Sequence, residues 1–296
     1  MATRQRGIDL SHWQGEQGLP IAHWTRLQAC GVRFAIIKAT QGTGYVDPAL
    51  GANLKRARSN GILTGVYHFM ERGLALAQAD HFLRTTRAAN GGDLAGLLLV
   101  GDVERVPTAT TADDPDWRTV RGFFNRLAAK APKPFRYVYS SAGYWGAIGN
   151  PDGQGLGSID GLWQARWDGE RHTCKTPNLP PSPPRAGFGG WGQTAMWQYG
   201  MLRYSVPNGM KRIDGNAFYG SIAELRDLFD GRVSRSPLQA RPQYRRGYNA
   251  AITALQDQVP AVAVAGDPGG PAWPAGVAEA RLDVLEALEG LRLSTP

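Results

Sequence analysis

The sequence lacks several features that mark familiar classes of protein. No apolar run approaches the ~20 residues that a membrane-spanning helix needs, so no membrane insertion is expected. No Gly-x-Gly-x-x-Gly motif follows a strand-like run, which argues against a dinucleotide site. No pair of metal-ligand residues stands at helical spacing and no cysteine joins the histidines, so we predict neither a metal nor an organic cofactor.

Cysteine is scarce, since the 296 residues include only Cys30 and Cys174. These two residues lie far apart in the sequence, and spacing alone does not decide whether they form a disulfide. We favour two free, buried thiols. Neither is placed like a nucleophile or a metal ligand.

Acidic residues are outnumbered: 33 Lys and Arg stand against 25 Asp and Glu, a formal net charge of +8. A basic chain suggests an acidic polymer as partner, either nucleic acid or a bacterial wall with its phosphates and carboxylates. An arginine-rich composition alone would also produce the surplus. No recognised helix or aromatic strand motif supports nucleic-acid binding, so we expect no nucleic-acid partner.

Strand-like and helix-like stretches alternate between residues 6 and 218. The strand-like runs cover residues 6–11, 32–40, 61–70, 95–104, 135–141, 161–167, 194–200 and 211–218, and the helix-like stretches cover 23–31, 48–61, 74–92 and 117–131. This alternation predicts an α/β fold, an irregular TIM-like (β/α) barrel with parallel strands. An open doubly wound sheet is the structural competitor. Residues 168–193 are rich in Pro and Gly and predict a long surface loop, which is placed to line a site.

The chain changes character after the barrel pattern ends. We assign residues 1–231 to a catalytic barrel and residues 232–296 to a linker followed by a small helical extension. Two helices are predicted there, at 247–262 and 274–293, and the second carries an apolar stripe. The extension is expected to bind a wall, to pack on the barrel, or to form an oligomer through its helices.

Carboxylates collect where the predicted strands end. The run LLLVGDVERV ends in Asp102 and Glu104, which point to the same side because side chains alternate along a strand. The first run offers Asp9 and the last offers Asp214. A lone strand-end Asp is more often a turn former, but active sites of β/α barrels form at the carboxyl ends of the strands. Four acids converging there predict a glycosidase-like site, in which carboxylates supply acid–base chemistry.

Aromatic and polar side chains accompany these acids and are candidates for substrate binding. The candidates are Tyr67, His68, Tyr139, Trp163, Trp197 and Gln198. Aromatic rings pack against the apolar faces of sugars. Taken alone, His68 would be a structural residue whose ring nitrogens are hydrogen-bonded within the fold.

The ordered blocks GIDLSHWQG, FAIIKATQGTGYVDPAL, GVYHF, the D-V-E pair, YVYSS, LWQARW, MWQYG and IDGNAF resemble those of glycoside hydrolase family 25 over residues 6–230. The resemblance implies an irregular β/α barrel that cleaves the β-1,4 bond between N-acetylmuramic acid and N-acetylglucosamine in peptidoglycan. By position it implies that Glu104 is the general acid. Asp102 would be its partner, as nucleophile or as the group that orients the substrate's acetamido group, and Asp9 and Asp214 would line the cleft. No cofactor is implied.

Two rival functions remain open at this point. Chitinase-like barrels end the same strand with D-x-x-D-x-D-x-E, but here apolar residues such as Leu98 and Val100 precede the pair. A non-catalytic sugar-binding module would have lost one or more of the acids, and all four are present.

The amino terminus has no apolar signal-peptide core. The expectation is a chain without a signal peptide, made in a host cytoplasm and acting on the bacterial wall, as in phage endolysins. Such an enzyme would need a holin-type partner for its release.

Overall fold

A computed structural model describes residues 4–106, 113–174, 187–192, 194 and 196–232. The predicted helices at 247–262 and 274–293 lie outside the described residues, so the assignment of residues 232–296 stays a prediction. No helix in the described ranges is long and apolar enough to cross a membrane.

Eight strands close into a barrel, with two short strands beside them. In chain order the strands are β1 (Arg4–Leu10), β2 (Val32–Gln41), β3 (Tyr45–Val46), β4 (Leu63–Phe69), β5 (Leu97–Asp102), β6 (Arg136–Ser141), β7 (Gly161–Ala165), β8 (His172–Thr173), β9 (Met196–Val206) and β10 (Gly209–Tyr219). The barrel order is β1, β10, β9, β7, β6, β5, β4, β2 and back to β1, with β3 on β2 and β8 on β9. The predicted barrel is confirmed.

Six α-helices and one 3-10 turn accompany the strands in the described ranges. They are the turn at His12–Gln14, α1 (Ile21–Ala29), α2 (Leu50–Ser59), α3 (Ala75–Ala89), α4 (Trp117–Lys130), α5 (Ala142–Ala147) and α6 (Ile222–Phe229). The first four helices match the predicted stretches. Their apolar faces pack on the outside of the barrel, where the larger core contains Trp24, Leu54, Phe82 and Phe123.

The prediction that all strands run parallel is wrong for β10. This strand is antiparallel to both β9 and β1. The reason is local: only Pro207 and Asn208 separate β9 from β10, and a two-residue connection can join only antiparallel strands. Asp214 therefore reaches the carboxyl end of the barrel from a strand that runs in the opposite direction, and it lies directly across from Asp9.

A second, smaller core fills the inside of the barrel. Helix α6 covers this core at the end of the barrel that lies opposite the carboxyl ends of the parallel strands. Phe34, Leu98 and Val100 belong to it, together with Phe229 from α6. The rings of Phe34 and Phe229 are 5.9 Å apart, which places α6 beneath the start of β2. The packed lower half leaves only the carboxyl end of the barrel open for a site.

Gly101 explains how α4 approaches the strand that carries Asp102. A Cβ at Gly101 would lie 2.7 Å from the ring of Phe124 and 3.3 Å from that of Phe123. Because both rings are fully buried, they have no room to move away. The glycine thus lets the helix pack against β5 one residue before the first acid.

The two cysteines form a disulfide, so the prediction of two free thiols is wrong. The Cα atoms of Cys30 and Cys174 are 4.8 Å apart, although 144 residues separate them in the sequence. Cys30 ends α1, while Cys174 is placed beside it because β8 pairs with β9 at Leu202 and Arg203. The bond therefore fixes part of the Pro/Gly-rich loop to α1.

Replacing both cysteines by serine is expected to lower the free energy of unfolding by about 2–5 kcal/mol, because the bond closes a long loop in the unfolded chain. Urea denaturation of the wild type and the double variant, each with and without reductant, measures this. Reductant should shift the midpoint of the wild type only. An unchanged wild-type midpoint under reducing conditions would contradict the structural role of the bond.

Candidate active site

The carboxyl end of the barrel opens into a cavity of about 620 Å³. Eight of the ten predicted site residues line it: Asp9, Tyr67, Asp102, Glu104, Tyr139, Trp163, Gln198 and Asp214. These side chains are far apart in the sequence, from Asp9 to Asp214, and the barrel strands bring them together. Further lining residues include Trp13, Lys38, Gln41, Phe69 and Trp167.

The backbone around Asp102 is held from both sides. Its carbonyl oxygen accepts a hydrogen bond from the backbone N–H of Met70 at 3.0 Å, and the N–H of Val103 donates to the carbonyl of Tyr139 at 2.9 Å. The hydroxyl of Ser140 donates to the Val103 carbonyl at 2.7 Å. Asp102 lines the cavity from this well-held backbone. Its buried Oδ1 has no hydrogen-bond partner among the described residues.

Glu104 lies two residues further on, past the end of β5, and is half-buried. The segment after it is anchored by Asp114. The backbone N–H of Val106 donates to Asp114 Oδ1 at 2.8 Å, and Arg105 Nε is 3.5 Å from Asp114 Oδ2. These contacts hold the turn that presents Glu104 to the cavity.

Asp9 and Asp214 form a pair of like charges on adjacent strands. Residues directly opposite on antiparallel strands have their Cβ atoms about 4.5–5.5 Å apart, so two carboxylates there repel one another. Asp9 is compensated by amide donors, since Asn216 Nδ2 and Gln198 Nε2 donate to its Oδ2 at 2.7 and 3.1 Å.

Three ring donors fix the orientation of these amides. The hydroxyl of Tyr139 and the Nε1 of Trp167 donate to Gln198 Oε1 at 2.9 and 3.0 Å. Trp163 Nε1 donates to Asn216 Oδ1 at 2.9 Å. Because both amide oxygens are occupied as acceptors, both NH₂ groups are left to face Asp9.

Burial raises the pKa of all four acids, and repulsion by a neighbouring carboxylate adds to the rise for Asp9, Asp102 and Glu104. Burial raises the pKa of Glu104 to about 7, with the charge of Asp214 adding to it. Burial also raises the pKa of Asp214 to about 6. The pKa values of Asp9 and Asp102 lie well above the usual range, again chiefly through burial, with further contributions from Asp214 and Glu104 respectively. The cluster therefore holds protons near neutral pH, as an acid catalyst requires.

Lys38 is the one cationic residue among the described residues that line the cavity, and the sequence prediction did not place it among the candidates. Its Nζ donates to Gln41 Oε1 at 2.8 Å and lies over the ring of Phe69, 4.9 Å from its centre. Its charge lowers the pKa of Asp102 and Glu104 against the effects that raise them. Lys38 thus favours the ionised forms of the two acids.

Replacing Lys38 by Met is expected to shift the whole pH profile of activity toward higher pH. Removing the positive charge raises the pKa of Asp102 and Glu104, so the limb that requires an ionised group and the limb that requires a protonated group both move upward. The measurement is initial rate against pH at constant ionic strength. Lys55→Met on the exposed face of α2 is the matched control and should leave the profile in place. A downward shift with Lys38→Met would contradict the assignment.

His68 and Trp197 do not line the cavity, in contrast to the sequence prediction. His68 is fully buried, with Nδ1 2.8 Å from Thr40 Oγ1 and Nε2 3.0 Å from Gln78 Oε1. Burial lowers its pKa to about 3, so it is a neutral structural residue. Trp197 donates from Nε1 to the carbonyl of Arg166. Each follows or precedes a cavity residue on its strand, and adjacent side chains point to opposite faces.

Two exposed tryptophans at the cavity were missed as candidates. Trp13 is 82% exposed and Trp167 is 57% exposed, an unusual state for so large an apolar side chain. Trp13 stands four residues after the candidate Asp9, and Trp167 stands four residues after the candidate Trp163, so their position just past a strand end was an available signal. Exposed rings at a polar cavity are suited to stacking on sugar faces.

The arrangement can perform acid–base chemistry on a polar substrate. It offers one acid whose pKa lies near 7, neighbouring carboxyl groups, and aromatic surfaces at the rim. Among the described residues no group of three or more His, Cys, Asp or Glu side chains has the arrangement of a metal site.

Known proteins match this chain over most of its barrel. A family model described as glycosyl hydrolases family 25 matches residues 8–205. Lysozyme M1 of Streptomyces globisporus is 31% identical over 233 residues, which cover 74% of this chain and 69% of that protein. The N,O-diacetylmuramidase of Arthroderma benhamiae is 28% identical over 205 residues, covering 65% and 75%. The crystal structure of the bacterial lysozyme from Streptomyces coelicolor superposes with a TM-score of 0.56 at 28% identity, over 77% of this chain and 98% of that one.

Proposed function

Because the chain belongs to glycosyl hydrolase family 25 and is a muramidase-type glycoside hydrolase of peptidoglycan, we propose that it cleaves the β-1,4 bond between N-acetylmuramic acid and N-acetylglucosamine. Glu104 is the general acid and Asp102 its partner. The observation that carries the proposal is the pairing of Glu104, with a pKa raised to about 7, and Asp102 in one open cavity.

The first step requires a proton at the oxygen of the leaving sugar. Glu104 is suited to donate it, because a carboxyl group with a pKa near 7 is still largely protonated just below neutral pH. As the glycosidic bond breaks, positive charge develops on the remaining sugar ring. Asp102 and the other cavity carboxylates offset that charge when they are ionised.

The second step needs a group that traps the positively charged sugar. We favour the substrate's own 2-acetamido oxygen as the attacking group, with Asp102 accepting a hydrogen bond from the acetamido N–H. Water then opens the cyclic intermediate, and Glu104, now ionised, takes the proton from that water. A covalent sugar–Asp102 intermediate is the alternative, and it requires carboxyl groups about 5–5.5 Å apart.

The remaining cavity residues are proposed to bind the glycan. Trp13 and Trp167 offer ring faces to the sugars. Tyr67, Tyr139, Trp163 and Gln198 surround the acids, and the hydrogen bonds of Gln198 keep Asp9 in place. Asp9 and Asp214 would maintain the negative potential that stabilises the charged sugar.

Digestion of purified peptidoglycan, followed by borohydride reduction and mass spectrometry of the new ends, tests the bond. Muramitol at the new ends is expected. Glucosaminitol would mean that the enzyme cleaves the other glycosidic bond of the glycan strand. The absence of new reducing ends would contradict the proposed cleavage and favour a non-catalytic sugar-binding module.

Lysis of bacterial cells is the proposed biological outcome of this cleavage. The disulfide fits a protein that acts where a wall substrate lies, because disulfides persist in oxidising compartments such as the bacterial periplasm and the cell surface. The phage origin, the holin-type partner and the oligomer stay predictions.

A further inference from the structure

A second cavity of about 910 Å³ adjoins the catalytic one and is not used by the proposed chemistry. The catalytic cavity and this second one share Trp13 and Gln14, which form the wall between them. The other sides of the second cavity come from the segment 15–20, from α1 and α2, and from the hairpin of β9 and β10. We call it the basic pocket, after its lining residues His23, Arg56, Lys211 and Arg212.

The basic pocket carries a charge opposite to that of its neighbour. Three cationic side chains line it, Arg56, Lys211 and Arg212, against the single acid Glu16. The catalytic cavity carries Asp9, Asp102, Glu104 and Asp214 against one lysine. Lys211 and Arg212 are exposed, and neither forms an ion pair with the described residues. Their charges are therefore available to an anionic ligand.

The floor of the basic pocket is preformed. Arg56 Nη1 donates to the carbonyls of Gln17 and Leu19 at 3.0 and 2.8 Å, and the N–H of Leu19 donates to Asn53 Oδ1 at 2.9 Å. On the opposite side, His23 Nδ1 lies 3.1 Å from the hydroxyl of Tyr204. A ligand thus meets a surface that is already ordered.

The wall between the cavities is equally well supported. The N–H of Ser11 donates to the side chain of Gln14 at 2.9 Å, and the backbone N–H of Gln14 donates back to the carbonyl of Ser11 at 3.2 Å. Lys211 lies directly opposite Tyr204 in the β9–β10 hairpin, which places it on the same side as the tyrosine. The strand that carries Lys211 and Arg212 therefore stands at a fixed position beside the glycan cleft.

We propose that the basic pocket binds the free carboxylates of the stem peptide carried by a muramic acid unit in the catalytic cavity. The inference rests on the proposed function, because the sugar must occupy that cavity. A peptide attached to the sugar has to leave the cavity at its edge, and the shared wall is such an edge. The acids of the cavity repel the peptide carboxylates while Lys211 and Arg212 attract them, so the charge pattern would orient the strand.

Binding of a muramyl disaccharide that carries its stem peptide, compared with the same disaccharide after the peptide has been removed, tests the proposal. Calorimetry gives Kd for the wild type and for Lys211→Ala/Arg212→Ala. The peptide should tighten wild-type binding, and the double variant should lose about three- to tenfold in affinity for the peptide-bearing ligand only, as expected for two partly exposed ion pairs. The wild-type preference should also weaken as the salt concentration rises.

Arg121→Ala/Lys130→Ala removes the same two charge types from exposed positions of α4 and serves as the matched control. It should leave both affinities unchanged. The proposal would be overturned if the double variant lost the same affinity for both ligands. It would also be overturned if the wild type bound the disaccharide equally well with and without the peptide. A preference that follows a phosphate-bearing wall polymer and not the peptide would overturn it as well.

The test separates this inference from the proposed function, because a disaccharide with muramic acid at its reducing end lacks the bond proposed to be cleaved, so binding is measured without turnover. If the Kd pattern holds while no new reducing ends form on any wall, the pocket stands and the proposed cleavage fails. If the wall is cleaved normally while the Kd pattern is absent, the cleavage stands and the pocket assignment fails. Unchanged cleavage of peptide-free strands by the double variant is the supporting kinetic result.

Discussion

Replacing Glu104 by Gln is expected to reduce kcat on peptidoglycan by at least about 10³-fold, within the range that general acid catalysis contributes. The amide has nearly the same size as the carboxyl group but cannot transfer a proton to the departing sugar oxygen. Glu104 is half-buried, and within the part of the chain that the structure describes its carboxyl group makes no hydrogen bond or ion pair that the change would disturb. Substrate affinity should therefore be retained, so the loss should fall on kcat and not on KM.

The loss with Glu104→Gln should depend on the leaving group. A synthetic glycoside that releases an acidic phenol needs little protonation, so the variant should keep far more of its wild-type rate on it than on peptidoglycan. The limb of the pH profile near pH 7 should also disappear, because the titrating group has been removed.

Glu170→Gln is the matched control for Glu104→Gln, because it makes the same chemical change at an exposed position. It should leave kcat unchanged. Full activity of Glu104→Gln on peptidoglycan would refute the role of this residue.

The general position of the site was predictable from the sequence because it depends on local rules. A buried run that ends in two acids with a period of two places both on one side of the strand, and Asp102 and Glu104 do line the same cavity. The carboxyl ends of the parallel barrel strands lie at the same end of the barrel, and this does not depend on the conformation of the loops. This is why eight of the ten predicted residues line the cavity.

His68 and Trp197 were predicted to line the site and do not. In both cases the alternation of side chains along a strand is more informative than membership of a sequence motif. Tyr67 and His68 were both proposed as substrate-binding residues, as were Trp197 and Gln198. Neighbours on a strand face opposite sides, so only one member of each pair can face the barrel interior. A strict application of the strand period would have selected one residue of each pair, although not which one.

Long-range pairing could not be predicted from the sequence. The disulfide between Cys30 and Cys174 depends on β8 joining β9, and two-residue strands have no reliable sequence pattern. The reversed direction of β10 depends on the tight turn at Pro207 and Asn208, in the sequence Val-Pro-Asn-Gly, which the alternating pattern obscured. The adjacent basic pocket likewise combines residues from four separate segments of the chain.

Replacing Asp102 by Asn is expected to reduce kcat by at least about 10²-fold, the loss typical of removing one electrostatic contact to the transition state. The amide cannot offset the positive charge of the sugar or accept the acetamido N–H as strongly as an ionised carboxylate does. The variant should nevertheless be folded. Burial raises the pKa of Asp102, so the ionised group lowers the stability of the folded state as the pH rises from the unfolded pKa through the raised folded pKa.

Asn removes that destabilisation, so the melting temperature of Asp102→Asn at neutral pH should equal or exceed that of the wild type. The expected combination is therefore lost activity with undiminished stability. Asp227→Asn, which alters a half-exposed ion pair with Arg232, is the control and should change neither quantity appreciably. A melting temperature well below the wild-type value would mean that Asp102 has a structural role.

The nature of the intermediate decides what Asp102 does in the wild type. If the acetamido oxygen attacks, a substrate with an N-trifluoroacetyl group should be cleaved far more slowly than the natural one, because the fluorines withdraw electron density from that oxygen. If Asp102 attacks, a 2-fluoro glycosyl fluoride should leave a sugar bound to it, visible as a mass increase of the intact protein. We expect the slow trifluoroacetyl substrate and no adduct. An adduct on Asp102 would establish the covalent route instead, with Glu104 still as the acid.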